Sequence, residues 1–231
     1  MVSNSVESYM NLKSVNADLM QQVAVLEQEL LSAKQEVEFL SKDSTIDIRH
    51  FKEAYPNPYS FIPAQVVNNQ VAMMDNNYIT LNRGSLSGIK EDMGVLSPTG
   101  IVGVVEHVSS HFSKVMPILN PKYQLSCKIK ETNFIGTLSW DGRNPQYSLL
   151  KELPQHAEFK PGDTIVTSGF SAIFPAGVPV GTIENTFKQK GENYNSVQVR
   201  LFTNFGALNE VMIVVNDRKE EQKNIEKGEP E

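Results

Sequence analysis

The chain has 231 residues and carries 21 Lys and Arg against 27 Asp and Glu, a formal net charge of −6. That balance argues against non-specific nucleic-acid binding, which needs clustered cations to displace counterions, and no basic patch is present. No apolar run reaches the roughly 18 residues of a membrane-spanning helix and no signal peptide opens the sequence, so the chain as written reads as soluble. The lone Cys127 excludes an internal disulfide without deciding the compartment.

In chain order, the polar Met1-Val2-Ser3-Asn4-Ser5 leads straight into a heptad repeat, an opening that fits a chain beginning just after a membrane anchor. Leu12, Leu19, Leu26, Ala33 and Leu40 recur every seven residues, and Tyr9, Asn16, Val23, Leu30 and Val37 occupy the positions three residues before them. An apolar stripe held at a period of 3.5 stays on one side of a 3.6-residue helix only if helices supercoil around each other. Tyr9 to Ser41 lacks Gly and Pro, and Glu27, Glu29, Lys34 and Glu36 flank the stripe. It predicts a rod roughly 50 Å long. Asn16 in the seam is satisfied opposite its own copy in a parallel pair, which favours two strands in register. The reading is a homodimer with Leu12, Asn16, Leu19, Val23, Leu26, Leu30, Val37 and Leu40 at its interface. Such a stripe also suits an amphipathic helix lying on its own domain, and the five heptads favour the coil.

The organisation expected is a dimerising helix over 1–44, a linker over 45–59 closed by Tyr55-Pro56-Asn57-Pro58-Tyr59, and then a change of period to two. Strands are predicted at Ile62–Val67, Tyr78–Asn82, Met93–Ser97, Ile101–Val108, Lys114–Ile118, Gln124–Lys130, Phe134–Trp140, Tyr147–Lys151, Thr164–Thr167, Gly181–Gln189, Ser196–Phe202 and Val211–Val215. So many short strands with Gly, Pro and Asn turns imply a mainly β head of barrels or sandwiches. Ser97-Pro98-Thr99-Gly100 and Asp141-Gly142 read as tight hairpin turns. Residues 216–231 hold almost no apolar side chain and read as a disordered tail.

Several motifs in order resemble a known family. These are Asn76-Asn77-Tyr78-Ile79-Thr80-Leu81-Asn82-Arg83-Gly84, then Gly88-Ile89, Met93-Gly94-Val95 and Thr99-Gly100-Ile101-Val102-Gly103-Val104-Val105. Further on come Gly136-Thr137-Leu138, Trp140-Asp141-Gly142, Gly162-Asp163-Thr164-Ile165-Val166-Thr167-Ser168-Gly169, Phe174-Pro175-Ala176-Gly177 and Val180-Gly181. No one piece is specific, but their order after a coil, over residues 9 to 215, is similar to the MreC family of rod shape-determining proteins. The resemblance implies two small β-barrels in a chymotrypsin-like arrangement, the first over 60–118 and the second over 119–215, and it leaves open whether 205–215 returns to complete the first. It further implies a scaffold on the outer, periplasmic face of the bacterial inner membrane, anchored by one helix absent from this chain. Its implied partners are the elongation-specific penicillin-binding transpeptidase and MreD, and indirectly MreB and RodA, so that peptidoglycan synthesis follows the cytoskeleton.

Enzyme chemistry is weakly supported. A phosphate-cradling reading of the glycines fails because no helix with a Lys follows any of them. A Ser-His-Asp triad has candidates in His107 or His111, Asp141 and Ser168, but Ser168 lacks the glycine setting that exposes a nucleophile beside an oxyanion hole. The i,i+4 spacing of His107 and His111 straddles a strand end, where helical spacing offers no metal site, and no cofactor is expected.

Surfaces are therefore the expected currency. The Pro-rich and Gly-rich stretch 170–179 carries Phe170, Ile173 and Phe174, and the 140–147 hairpin tip carries Trp140, Arg143 and Tyr147, residue types that plug barrel ends or dock partners, with plugging favoured for the first stretch and a packed Trp140 for the second. Exposed barrel edge strands offer a route to filaments. A periplasmic export adaptor also joins a coil to barrels, but its coil is a hairpin, whereas one helical strand exists here. A carbohydrate-binding module wants several exposed aromatics on one face, and Trp140 is alone.

Overall fold

The computed structural model describes residues 15–16, 18–34, 37, 57–71, 76–132, 134–187 and 194–228. Its organising feature is a pair of closed, six-stranded, antiparallel barrels. Barrel 1 contains β1 (Tyr59–Gln70), β2 (Tyr78–Leu81), β3 (Gly94–Ser97), β4 (Gly100–Val108), β5 (Ser113–Pro117) and β12 (Glu210–Asn216), in the order β1-β12-β3-β4-β5-β2. Barrel 2 contains β6 (Leu125–Ile129), β7 (Ile135–Ser139), β8 (Tyr147–Pro154), β9 (Thr164–Thr167), β10 (Pro179–Phe187) and β11 (Tyr194–Leu201), in the order β10-β11-β8-β7-β6-β9.

The period-two patterning explains why these segments are strands. In β6 Leu125, Cys127 and Ile129 point into the barrel while Ser126 and Lys128 stay half-buried, and β5 alternates in the same way. Each barrel fills with branched side chains: Ile79, Leu81, Val95, Val105, Val115 and Ile213 in the first, Ile129, Leu138, Leu150, Ile165, Ile183, Val197 and Val199 in the second. The last strand, whose place the sequence left open, enters barrel 1 between β1 and β3 and pairs Tyr59 with Asn216 through to Gln65 with Glu210.

Closure also corrects the edge-strand route to filaments. Every strand of both sheets has two neighbours, so among the described residues neither barrel offers a free edge. The Ser97–Gly100 turn joins β3 to β4 as expected, but β7 stops at Ser139 and the 140–146 connection is a longer loop, not a two-residue turn. In that loop Asp141 and Asn144 accept hydrogen bonds from the amides two residues on, Arg143 and Gln146, the local Asx geometry that holds such a loop.

The expectation of a disordered tail is corrected as well. Beyond β12 the chain turns into a helix, α2 (Lys219–Lys227), closed by Gly228 at φ 74, whose N–H donates to the Asn224 and Ile225 carbonyls. The physical reason is an attachment that composition does not reveal: Lys219 is buried against barrel 1 and donates to the Asp92 carbonyl at 2.6 Å.

The barrels touch where β10 and the loop before it approach β4 and β3. The loop between β9 and β10 sends Phe174, 1% exposed, onto Gly94 of β3, where an added Cβ would lie 2.5 Å from the ring, so only glycine leaves room for that side chain. Beside it Thr203 donates to the Ile101 carbonyl at 2.8 Å, and Asn216 donates to the Ala172 carbonyl at 2.9 Å.

Candidate interaction surfaces

The N-terminal helix, α1 (helical over 18–34, with 15, 16 and 37 in the same conformation), has two apolar faces. Each residue advances the helix by about 100°, so Met20, Ala24 and Leu31 share a line about a quarter-turn or a little more from the heptad stripe. That line docks. Met20 and Ala24 are buried against the head, with Leu31 and Val23 packed partly beside them, and Asn57 donates to the Gln28 carbonyl and the Ser32 hydroxyl, at 3.4 and 3.3 Å.

The heptad stripe is left open. Leu19, Leu26, Leu30 and Val37 are all exposed, Leu26 to 61%, in a row along the side of α1 not covered by the barrel. Asn16 is exposed with them, Val23 leans toward the head, and Leu12 and Leu40 lie outside the described residues. Of the two arrangements, the helix lying on its own domain is the one observed, along a line beside the heptad stripe. The docking line was legible as Met20, Ala24 and Leu31, four and seven residues apart, beside the more regular heptad.

The two loop candidates divide. Trp140 and Phe174 are packed, as the plugging reading expects, and present no free surface, which corrects their place among the candidate partner-binding residues. The Trp140 ring is buried in barrel 2 and its Nε1 donates to the Asn144 carbonyl at 2.9 Å, so both the apolar and the polar part of the side chain are satisfied internally. Phe174 fills the space above Gly94, and Ile173 is half-buried beside it. Phe170 is 74% exposed, Arg143 is exposed and Tyr147 half-buried. Loop 168–178 is rigid at its root, where the Thr167 hydroxyl donates to the Pro175 carbonyl at 2.6 Å and accepts from the Val178 amide at 2.9 Å.

The triad candidates do not converge. The Ser168 hydroxyl donates to Ser126 Oγ at 2.8 Å and accepts from the Phe170 amide, while His107 sits exposed beside Glu91, with 3.5 Å between Nδ1 and Oε1. Cys127 is enclosed in barrel 2, and burial pushes its thiol far up, away from the reactive thiolate. No described group of three or more His, Cys, Asp or Glu residues could hold a metal ion, and no described helix is long and apolar enough to cross a membrane.

Comparison with known proteins matches this architecture. A family model for the barrel core of the rod shape-determining protein MreC covers residues 66–215. The cell shape-determining protein MreC of Listeria monocytogenes is 28% identical over 200 residues, spanning 82% of this chain and 65% of that protein. Its namesake in Escherichia coli is 25% identical over 178 residues, spanning 76% of this chain and 48% of that protein, so the chain spans about half to two thirds of these relatives. Among solved structures, Listeria MreC superposes with a TM-score of 0.66 at 25% identity, over 85% of this chain and 95% of that one. The fold is also that of the MreC chain solved in a complex between a penicillin-binding protein (PBP2) and MreC from Helicobacter pylori, with a TM-score of 0.56 at 20% identity over 68% of this chain and 98% of that one. With a match running from the first strand of barrel 1 to the strand that closes it, the chain belongs to the MreC family of rod shape-determining proteins.

Proposed function

We propose that this chain is a non-enzymatic scaffold of the bacterial wall-elongation machinery, working on the outer face of the inner membrane, dimeric through α1 and bound to the elongation-specific penicillin-binding transpeptidase. The observation that carries the reading is the open heptad stripe on a helix whose other face is docked, in a chain with the fold of an MreC protein solved with a penicillin-binding protein. A row of exposed leucines and valines on a structured helix is costly in water and is relieved by a second copy in register, with Asn16 meeting Asn16. The absence of a catalytic role is supported by the spent Ser168 hydroxyl and the separated histidines. The transpeptidase surface is assigned to barrel 2 around Phe170 and Arg143, the exposed members of the two loops. MreD and, through it and the transpeptidase, MreB and RodA are the further partners that membership implies, together with a membrane-anchoring helix.

The test is titration calorimetry of the whole chain against the outer-face part of the transpeptidase from the same organism. Binding at micromolar strength or tighter, about 8 kcal/mol, weakened about tenfold or more by Phe170→Ala or Arg143→Glu, is the expected result. No heat at roughly 100 μM of either protein, a level worth only about 5 kcal/mol, overturns the transpeptidase reading. Binding indifferent to both substitutions moves the contact elsewhere.

A further inference from the structure

We infer that the C-terminal helix α2 is a salt-sensitive strap: docked on Asp92 it is helical and covers the groove at the joint between the barrels, and released it unfolds and uncovers that groove.

The helix is held by something other than apolar burial. Its sequence, Lys219-Glu220-Glu221-Gln222-Lys223-Asn224-Ile225-Glu226-Lys227, has one apolar side chain, and that one, Ile225, is 74% exposed. Both anchors are lysines one helical turn apart that converge on a single residue. Lys219 Nζ donates to the Asp92 carbonyl at 2.6 Å, and Lys223 Nζ meets Asp92 Oδ2 at 2.9 Å. The second anchor is an exposed ion pair, with the Asp92 side chain 57% open to solvent, the kind of contact that salt screens. A helix of nine residues does not persist in water on propensity alone, so losing the anchors melts it.

Asp92 is built to receive them. It sits in the left-handed region at φ 62, a conformation Asp and Asn tolerate better than most residues, and its amide donates to the Val105 carbonyl at 2.8 Å. The carbonyl and the carboxylate are thereby fixed where the helix arrives. Beside the helix lies a groove of about 270 Å³ that joins barrel 1 at Met93 and Val215 to barrel 2 at Ala172 and Ile173, with Lys219 and Glu220 of the first helical turn in its wall. The chain is pinned on the near side as well, since the Asp217 amide donates to the Pro58 carbonyl at 3.0 Å. One short segment therefore touches the entry to β1, the turn before β3 and the rim of the barrel joint.

The strap is independent of any partner, and hydrogen exchange on the whole chain reads it directly. Asp92→Asn keeps the left-handed backbone and the carbonyl while removing the charge, and Lys219→Met keeps much of the buried stem while removing the donor. Exchange at the α2 amides is expected to speed up about fivefold in Asp92→Asn, or on raising salt from roughly 0.02 to 0.5 M, and about tenfold or more in Lys219→Met. The β12 amides of 211–215 should stay protected in each case. Cover over the groove is read separately with Ile173→Cys, whose alkylation should accelerate under the same changes while the buried Cys127 stays silent. Unchanged α2 protection in both variants and in high salt overturns the inference. So does an α2 already unprotected at low salt, or one that is released without any change at position 173.

Discussion

Barrel 2 is drawn from one uninterrupted stretch, β6 to β11, whereas barrel 1 closes only when β12, on the far side of that stretch, returns between β1 and β3. Strand pairs in barrel 2 reach no further along the chain than from Tyr147 to Arg200, but barrel 1 depends on a pairing of Tyr59 with Asn216 across the whole of barrel 2. Loop closure over such a separation is slow and entropically costly, so barrel 2 can form while barrel 1 waits for the end of the chain. The only tryptophan, Trp140, and the only cysteine, Cys127, both lie in barrel 2, so that barrel can be followed alone.

The largest effect that separates the barrels is a chain ended at Leu208. It lacks Val211, Met212, Ile213 and Val214, all buried, and at about 1.5 to 3 kcal/mol for each buried side chain the loss matches or exceeds the stability of a small domain. Barrel 1 is expected to unfold, with loss of amide protection in β2 and β4, while Trp140 stays buried and Cys127 resists alkylation. Protected β4 amides in the shortened chain would show that barrel 1 closes without its sixth strand.

Next in size is the joint. Phe174→Ala empties the space over Gly94 and should cost about 3 to 5 kcal/mol, as removal of a buried phenylalanine does. The loss belongs to the contact between barrels, so denaturant unfolding followed by Trp140 fluorescence and by barrel 1 amides should split into two transitions where the native chain shows one. Coincident transitions in the variant would mean that the hydrogen bonds from Thr203 and Asn216 couple the barrels without the ring.

The strands were legible because each barrel repeats a simple rule, inward apolar and outward polar residues with turns at Gly, Pro and Asn, and nearly every predicted run matches an observed strand within a few residues. What joins the pieces was not. Phe174 reads as a loop aromatic that plugs or docks, but what it packs on, Gly94, lies eighty residues earlier in the chain. Trp140 sits at the start of a loop yet its ring is buried and its Nε1 is held by the Asn144 carbonyl. Lys219 and Lys223 carry the charge of a solvated tail, and nothing in their own segment announces Asp92. Long-range contacts between single side chains leave no period to read.

The proposed dimer tests a third level, contact outside both barrels. Leu26→Glu removes about 2 kcal/mol of apolar burial per chain from the proposed seam, so the dissociation constant should rise about a thousandfold with both barrels intact. Sedimentation equilibrium measures it. A native chain that is monomeric at high micromolar concentration ends the coiled-coil reading, whereas Ala24→Arg, aimed at the docked face, should detach α1 from barrel 1 and leave the seam able to pair.

The smallest effect concerns the end of barrel 1 that α2 covers, and its sign follows from Asp92. The hydrogen bond from Lys223 holds the Asp92 carboxyl below its ordinary range, burial opposes this, and the charges of Lys219 and Lys223 add to it. A carboxyl with a lowered folded pKa lends stability that is complete above the ordinary carboxylate pKa and disappears as pH falls through the lowered value. Both lysines keep their charge across that acid range, so they supply no compensating change. The helix should therefore loosen only as pH falls below the ordinary carboxylate range, by a few-fold in α2 exchange, with the barrels unaffected at the onset. Glu91 and Glu220 stand nearby, so the Asp92→Asn chain is the control: once exchange is corrected for its intrinsic pH dependence, its α2 protection should be flat where that of the native chain declines. A decline of equal size in both chains would assign the acid response to those neighbours and leave Asp92 as a backbone anchor alone.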